Sequence, residues 1–217
     1  MNLEQARSNM IQQQIRPWNV SDQDVLSLLE IIKRENFVPP AYQNIAFADL
    51  EIPLPCGQHM LSPKIEARIL QALQLKPHES ILEIGTGSGY MAALLSYHSQ
   101  HVLTIEIHAE LAALAQENLL KNTISKVSVV TGDGAQGWAQ QAPYDVIVVS
   151  GGLPVLPPTL LTQLKPGGRL CAFVGSAPLM QAQLITCVAK NEYQSEVLFE
   201  TWAPPLVNTI ETSRFSF

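Results

Sequence analysis

The chain has 217 residues, 47% of them hydrophobic and 15% charged, with a formal net charge of -6. It is long enough to bury a core of its own, and with acids in excess it has no basic stripe to neutralise a phosphate backbone, so nucleic acid is not expected as a partner. No apolar run approaches the roughly 20 residues of a membrane span and MNLEQARSNMIQQQIRPW lacks a secretion signal's apolar core, so no membrane partner and a cytoplasmic location are expected.

Ser21 followed by Asp24 resembles a helix cap with an acid in the first turn, and Val25, Leu26, Leu28, Leu29 and Ile32 recur at helical spacing. That helix must stop before Pro39 and Pro40, which cannot continue it. A second amphipathic stretch, from about Pro63 to Leu73, sets Ile65, Ile69, Leu70 and Leu73 along one face, with Pro63 suited to the first helical position. From Ser80 the texture changes. ILEI (81–84), HVLTIE (101–106), KVSVV (126–130), YDVIVV (144–149) and RLCAFVG (169–175) read as strands, and GYMAALLSYH, HAELAALAQENLLKN and PPTLLTQL as the helices among them. Alternation of this kind predicts βαβ units and a parallel sheet covered on both faces.

QAQLITCVA and QSEVLFETWA follow with no helix between them, which predicts an antiparallel hairpin, turning at about 190–193, that closes one edge. The expected fold class is α/β: a Rossmann-like three-layer sandwich, with a mostly parallel sheet, an antiparallel edge hairpin and a helical N-terminal region. No repeat or linker interrupts the chain, so one domain over 1–217 is expected, 1–75 being the helical region with its loop and 76–217 the α/β core. Cys56, Cys171 and Cys187 are odd in number and form no C-x-x-C pair, so they are expected as buried thiols rather than a disulfide framework.

The strongest chemical signal is LEIGTGSGY (82–90), at the turn from the first parallel strand into a helix. Gly85, Gly87 and Gly89 allow a tight turn and close approach of a ligand at the helix N-terminus. The spacing departs from the dinucleotide pattern G-x-G-x-x-G, because the third glycine comes one residue early and Tyr90 occupies its place. Glu83, two residues ahead of the first glycine, would repel a pyrophosphate and favour a cationic ligand. S-adenosyl-L-methionine, with its ammonium, sulfonium and adenosine, fits. Glu106, at the end of the second strand, can accept from both ribose hydroxyls, and Asp133 in the Gly132-Asp133-Gly134 turn can accept from the adenine amino group. Thr86 and Ser88 are further candidates, for the ligand's carboxylate, whereas Asp145 reads as structural.

With LEIGTGSGY, Glu106, GDG and YDVIVV together, the chain resembles class I S-adenosylmethionine-dependent methyltransferases, and more narrowly the protein-L-isoaspartate O-methyltransferase family. The narrower resemblance is carried by REN-FVPPAY, by GQ and a proline before the second helix, by GDGAQGW, by PPTLLTQLKPGGRL and by PPLV, and it spans roughly residues 5 to 207. Only the closing NTIETSRFSF is outside its motifs. The resemblance implies transfer of a methyl group to the α-carboxylate of isoaspartyl residues in aged proteins or peptides. Such a carboxylate is already ionised at neutral pH, so alignment and exclusion of water are what the enzyme must supply.

The family's loop, GQTIS followed by one residue and Pro, is implied to orient that carboxylate through its serine. Laying Gly57, Gln58 and Pro63 on this pattern places His59 at the threonine, Met60 at the isoleucine and Leu61 at the serine. Ser62 falls one residue later, where an extended loop points its side chain the opposite way. Gln58, His59, Ser62 or a backbone N–H are the candidates for the orienting contact. A second departure is Ser150-Gly151-Gly152, where the family shows a Thr-Ala-Ala-like turn; a hydroxyl is kept, and two glycines are expected to loosen the acceptor side. Leu206 and Val207 are expected near it.

Three readings stay open: an isoaspartyl carboxyl methyltransferase, a methyltransferase with another acceptor, and a non-catalytic S-adenosylmethionine-binding protein. Cys56 and His59 lack further ligands nearby and no metal site is expected. His98, His101 and His108 read as exposed or capping residues, and Arg68 as facing either solvent or a carboxylate.

Overall fold

A computed structural model describes residues 2–209, so most of the closing segment NTIETSRFSF lies outside the described residues. The chain opens with α1 (Leu3–Met10), which runs on through a wider turn, Ile11–Ile15, and a 3-10 turn, Arg16–Trp18. In α2 (Gln23–Ile31) the cap is Asp22 rather than Ser21. The Asp22 carboxylate accepts the Asp24 and Val25 N–H groups, while the Ser21 N–H is held by Gln71 Oε1 at 2.8 Å. Two short antiparallel strands, β1 (Ile52–Pro53) and β2 (His59–Met60), clasp the next loop, and α3 (Pro63–Leu73) follows with Pro63 in its first turn. Ile65, Ile69, Leu70 and Leu73 on α3 are all buried.

The α/β part then runs β3 (Ser80–Ile84), α4 (Tyr90–Tyr97), β4 (His101–Glu106), α5 (Ala109–Lys121), β5 (Val127–Thr131), β6 (Tyr144–Leu153), α6 (Pro158–Leu161), β7 (Leu164–Ser176), β8 (Leu179–Ala189) and β9 (Glu192–Thr201). Seven strands form one sheet in the order β5-β4-β3-β6-β7-β8-β9. The first five are mutually parallel, and β8 and β9 add antiparallel to the β7 edge as the expected hairpin. Strand order reverses between β3 and β6, and the crevice beyond strand ends at such a reversal is where open α/β sheets place ligands.

PPTLLTQL makes one helical turn rather than a full helix. Leu164 already belongs to β7, paired with Tyr144 of β6, so the sheet takes the residues that would have continued it. The two faces are therefore covered unequally. Ile81, Val102, Val146, Val148 and Phe173 pack against buried residues of α2, α3, α4 and α5, whereas Leu82, Ile147 and Leu170 meet Leu160 of α6 together with Trp138 and Leu156. Cys171 and Cys187 are buried, but Cys56 is exposed: it sits in the loop between β1 and β2 with a left-handed φ of 58°, which carries it away from the core. No helix among the described residues is long and apolar enough to cross a membrane.

Candidate active site

The carboxyl ends of β3, β4, β5 and β6 open into a cleft. The Gly87 N–H, in a turn with φ 54°, donates to Glu106 Oε2 at 2.9 Å, and the His108 N–H donates to Oε1 at 3.0 Å. The carboxylate is thus fixed by two backbone donors while each oxygen keeps a lone pair for a ligand hydroxyl. Asp133 is set the same way at the end of β5, Oδ1 accepting from the Ala135 N–H at 2.9 Å and Oδ2 from Asn208 Nδ2 at 2.9 Å. Gly85, Gly87, Glu106, Asp133 and Gly134 all line this cleft, and so does His108. His108 Nε2 is buried there without a hydrogen-bond partner among the described residues, a polar atom that a hydroxyl-bearing or amino-bearing ligand would satisfy. Gly89 does not line the cleft. A Cβ on it would stand 3.2 Å from Ala115 Cβ, so it lets α4 begin close against α5.

Glu83 is placed differently from the expectation. It is 0% exposed and lines a small adjoining recess, not the cleft itself. Thr104 Oγ1 donates to its Oε2 at 2.7 Å, Ser150 Oγ donates to its Oε1 at 3.0 Å, and Thr86 Oγ1 in turn lies 2.6 Å from Thr104 Oγ1. Burial, opposed by these two hydrogen bonds and assisted by Glu106 and Glu66, pushes its pKa up to about 8. Glu83 is therefore mainly neutral at pH 7 and does not supply the negative charge that its place beside the glycines suggests. Thr86 and Ser88 also face the recess, and the Thr86 hydroxyl is occupied by Thr104.

On the opposite side, Gln58 and His59 come to the cleft, and His59 also lines the recess. Ser62 reaches neither. It lies in a separate groove with Trp18, Lys64 and Trp202, as the one-residue displacement along the loop dictates. Leu61, only 5% exposed, closes the recess with an apolar side chain. Its carbonyl is gripped from within by Arg34, whose Nη2 donates at 2.7 Å. Arg34 is 0% exposed, and its other donors go to the Ala46 carbonyl at 3.1 Å and to the Glu66 carboxylate on α3. Burial pushes Glu66 up to about 7 against the pull of Arg34. A buried Arg–Glu pair thus fixes where the loop turns.

The expectation that Gly151 and Gly152 loosen the acceptor side is corrected. A Cβ at Gly151 would stand 2.7 Å from Leu206 Cδ2, and one at Gly152 would stand 2.9 Å from the Ala203 carbonyl. The two glycines instead admit the segment 203–206, which is tied down by Gly152 N–H to Pro204 O at 2.7 Å and Leu206 N–H to Gly152 O at 2.9 Å. Leu206 and Val207 line the cleft in consequence. Asp145 lies at the other end of β6. Burial alone would raise its pKa, yet Lys165 and the Ser80 N–H and hydroxyl hold it low, a structural role. Arg68 donates to the Trp18 and Leu198 carbonyls and meets no carboxylate among the described residues.

Sequence reasoning gave Arg34 no role and did not foresee the reach of Ser150 into both cavities, and it read His108 as exposed or capping; His108 is indeed the cap residue of α5 and lines the cleft as well. The motif REN gave a signal for Arg34 without a role. The place of His108, two residues past Glu106 at the start of α5, was the available signal for its position at the cleft.

Residues 5–206 match the family model "Protein-L-isoaspartate(D-aspartate) O-methyltransferase". The protein-L-isoaspartate O-methyltransferase of Koribacter versatilis is 43% identical over 201 residues, 93% of this chain and 90% of that one. Protein-L-isoaspartate O-methyltransferase 1 of Geotalea uraniireducens is 38% identical over 207 residues, 95% and 94% of the two chains. A solved protein-L-isoaspartate O-methyltransferase superposes with a TM-score of 0.81 at 26% identity, covering 94% of this chain and 67% of its own. A Plasmodium falciparum structure in complex with S-adenosyl-L-homocysteine shares the fold, with a TM-score of 0.79 at 20% identity over 92% of this chain and 97% of its own.

Proposed function

Since the chain belongs to the protein-L-isoaspartate(D-aspartate) O-methyltransferase family, we propose that it transfers a methyl group from S-adenosyl-L-methionine to the α-carboxylate of L-isoaspartyl residues in damaged proteins or peptides, a repair reaction. The observation that carries this reading is the meeting, in one cleft, of two strand-end carboxylates with residues of the acceptor loop and of the closing segment. The cleft fits the cofactor. Glu106 offers two fixed oxygens to a ribose, Asp133 accepts from an adenine, and the buried, unpartnered His108 Nε2 supports a polar ligand beside them.

When bound, S-adenosyl-L-methionine supplies an electrophilic methyl on a sulfonium, which a carboxylate oxygen takes as the S–C electron pair returns to sulfur and no proton moves. The protein's share is therefore alignment and exclusion of water. Gly85 and Gly87 bring backbone close to the ligand, and Gln58 and His59 face it from the acceptor loop. Leu206 and Val207 cover the acceptor side with apolar surface. Thr86, Ser88 and Glu83 shape the recess, Gly89 sets the helix spacing, and Ser62 drops out of the site.

The apolar side chains of Leu54, Met60, Leu61 and Met91, which line the recess beside its polar residues, favour a second reading, methyl transfer to a less polar acceptor. Labelled cofactor offered with an isoaspartyl peptide and its normal aspartyl twin separates the two. Base-labile methyl ester on the isoaspartyl peptide alone is the expected result. Cofactor turnover indifferent to that peptide would favour the second reading.

A further inference from the structure

The acceptor side lacks the hydroxyl that position 61 would supply: Leu61 is apolar and buried, and Ser62 opens into another groove. Among the described residues that line the cleft one hydroxyl remains, that of Ser150, and Ser150 lines the adjoining recess as well. We propose that the Ser150 hydroxyl is the hydrogen-bond donor that orients the acceptor carboxylate in this chain, and that Glu83 is the positioning residue that holds it. The inference rests on the carboxyl methyltransferase reading above.

The backbone places Ser150 for this role. Register in β6 is broken between Val148, paired with Cys171, and Gly152, paired with Phe173, so Ser150 stands in an irregularity that frees it from the regular ladder. Its Oγ lies 3.0 Å from Glu83 Oε1, while Glu83 Oε2 is taken by Thr104. The bond that Ser150 Oγ donates to Glu83 Oε1 reverses when Glu83 carries its proton on Oε1: the carboxyl then donates to Ser150 Oγ, which releases the serine hydrogen for a ligand and presents no like charge to a carboxylate. Burial above all keeps Glu83 neutral, and the charged groups that bear on it add to this: Glu106 at the end of β4 and Glu66 on α3 both oppose its ionisation, and Arg34 is engaged by Glu66. His59 of the acceptor loop borders the same recess. The serine keeps its proton throughout, since the carboxylate oxygen bonds the methyl carbon and only the S–C bond breaks.

The test compares wild type, Ser150→Ala and Ser150→Thr for methyl transfer to an isoaspartyl peptide, and for affinity of that peptide with S-adenosyl-L-homocysteine present. Ser150→Ala should lower kcat/KM and peptide affinity by about 10- to 150-fold, the span of one hydrogen bond to a charged group, with S-adenosyl-L-homocysteine affinity within about 2-fold of wild type. Ser150→Thr should keep most of the activity. Leu61→Ser should rescue Ser150→Ala by supplying a hydroxyl from the other wall. Glu83→Gln should remove a fall in kcat/KM that wild type shows as pH rises past about 8. Full activity in Ser150→Ala, or an equal loss of S-adenosyl-L-homocysteine affinity, would overturn the inference. An inactive wild type would instead remove the carboxyl methyltransferase reading, and this inference with it.

Discussion

The two halves of the cleft are built from different materials. On the cofactor side, backbone does most of the work: the N–H groups of Gly87, His108 and Ala135 fix two carboxylates at successive strand ends. On the acceptor side, three segments far apart in the chain meet, namely the loop around 58–61, the irregular turn of β6 at 150–152 and the closing stretch 203–207. The buried Arg34 side chain holds the first of them by the Leu61 carbonyl, and backbone hydrogen bonds between Gly152 and the stretch 204–206 hold the other two together across the fold. Backbone geometry follows from local glycine and strand patterns and tolerates few changes. An assembly of segments distant in sequence can be rebuilt one segment at a time, and the changed residues of this chain lie there.

The comparison breaks most sharply at Glu106. Glu106→Ala removes two charged acceptors for ribose hydroxyls and should weaken S-adenosyl-L-homocysteine binding by about 100- to 10,000-fold by calorimetry, on about 1.5–3 kcal/mol for each hydrogen bond. A loss under about 10-fold would show that the clamp lies elsewhere.

Arg34→Met comes next. It strands Glu66 in the interior and releases the Leu61 carbonyl, so a destabilisation of about 3–5 kcal/mol is expected in urea unfolding. Arg34→Met combined with Glu66→Leu should recover most of that stability, because no unpaired charge is left. If the double variant is as unstable as the single one, the pair is not what supports the loop.

Gly152→Ala sharpens the acceptor side. Its Cβ would press on the Ala203 carbonyl at 2.9 Å, a backbone atom, and the expected cost is about 1–3 kcal/mol with a weaker KM for peptide and unchanged cofactor affinity. Equal stability would mean that 203–206 yields freely.

The smallest effect is in the pH dependence of stability without ligand. The folded pKa values of Glu83, about 8, and Glu66, about 7, are raised above the ordinary 4.5 by burial, so the folded state binds more protons than the unfolded one between those values. The stabilisation is complete below about 4.5 and is lost as pH rises through 7 to 8. Melting temperature should therefore decline over that window, and Glu83→Gln should flatten the slope. A variant that kept the wild-type slope would place the titration on another group.

What could be seen in the sequence divides along the same line. Strand and helix patterning gave all seven strands of the sheet and its edge hairpin, because alternating apolar runs reflect contacts made within a few residues. The spacing of Gly85, Gly87, Glu106 and Asp133 points to one shared site, and the structure brings all four to the same cleft, for the same reason. PPTLLTQL was overruled by strand pairing with β6, a contact at long range. The charge on Glu83 was misjudged because burial, which sets its protonation, is a tertiary property. Gly151 and Gly152 suggest looseness until the chain at 203–206 is seen packed on them. Arg34 is an ordinary charged residue in sequence and a fully buried strut in space.

The most direct measurement is a single turnover: wild-type protein saturated with labelled S-adenosyl-L-methionine, mixed with an isoaspartyl peptide or with the same peptide carrying normal aspartate. Rapid appearance of base-labile methyl ester on the isoaspartyl peptide, and none on its twin, is the predicted result. Bound cofactor that passes no methyl group to either peptide, or passes it equally to both, would contradict an isoaspartyl acceptor site in this cleft.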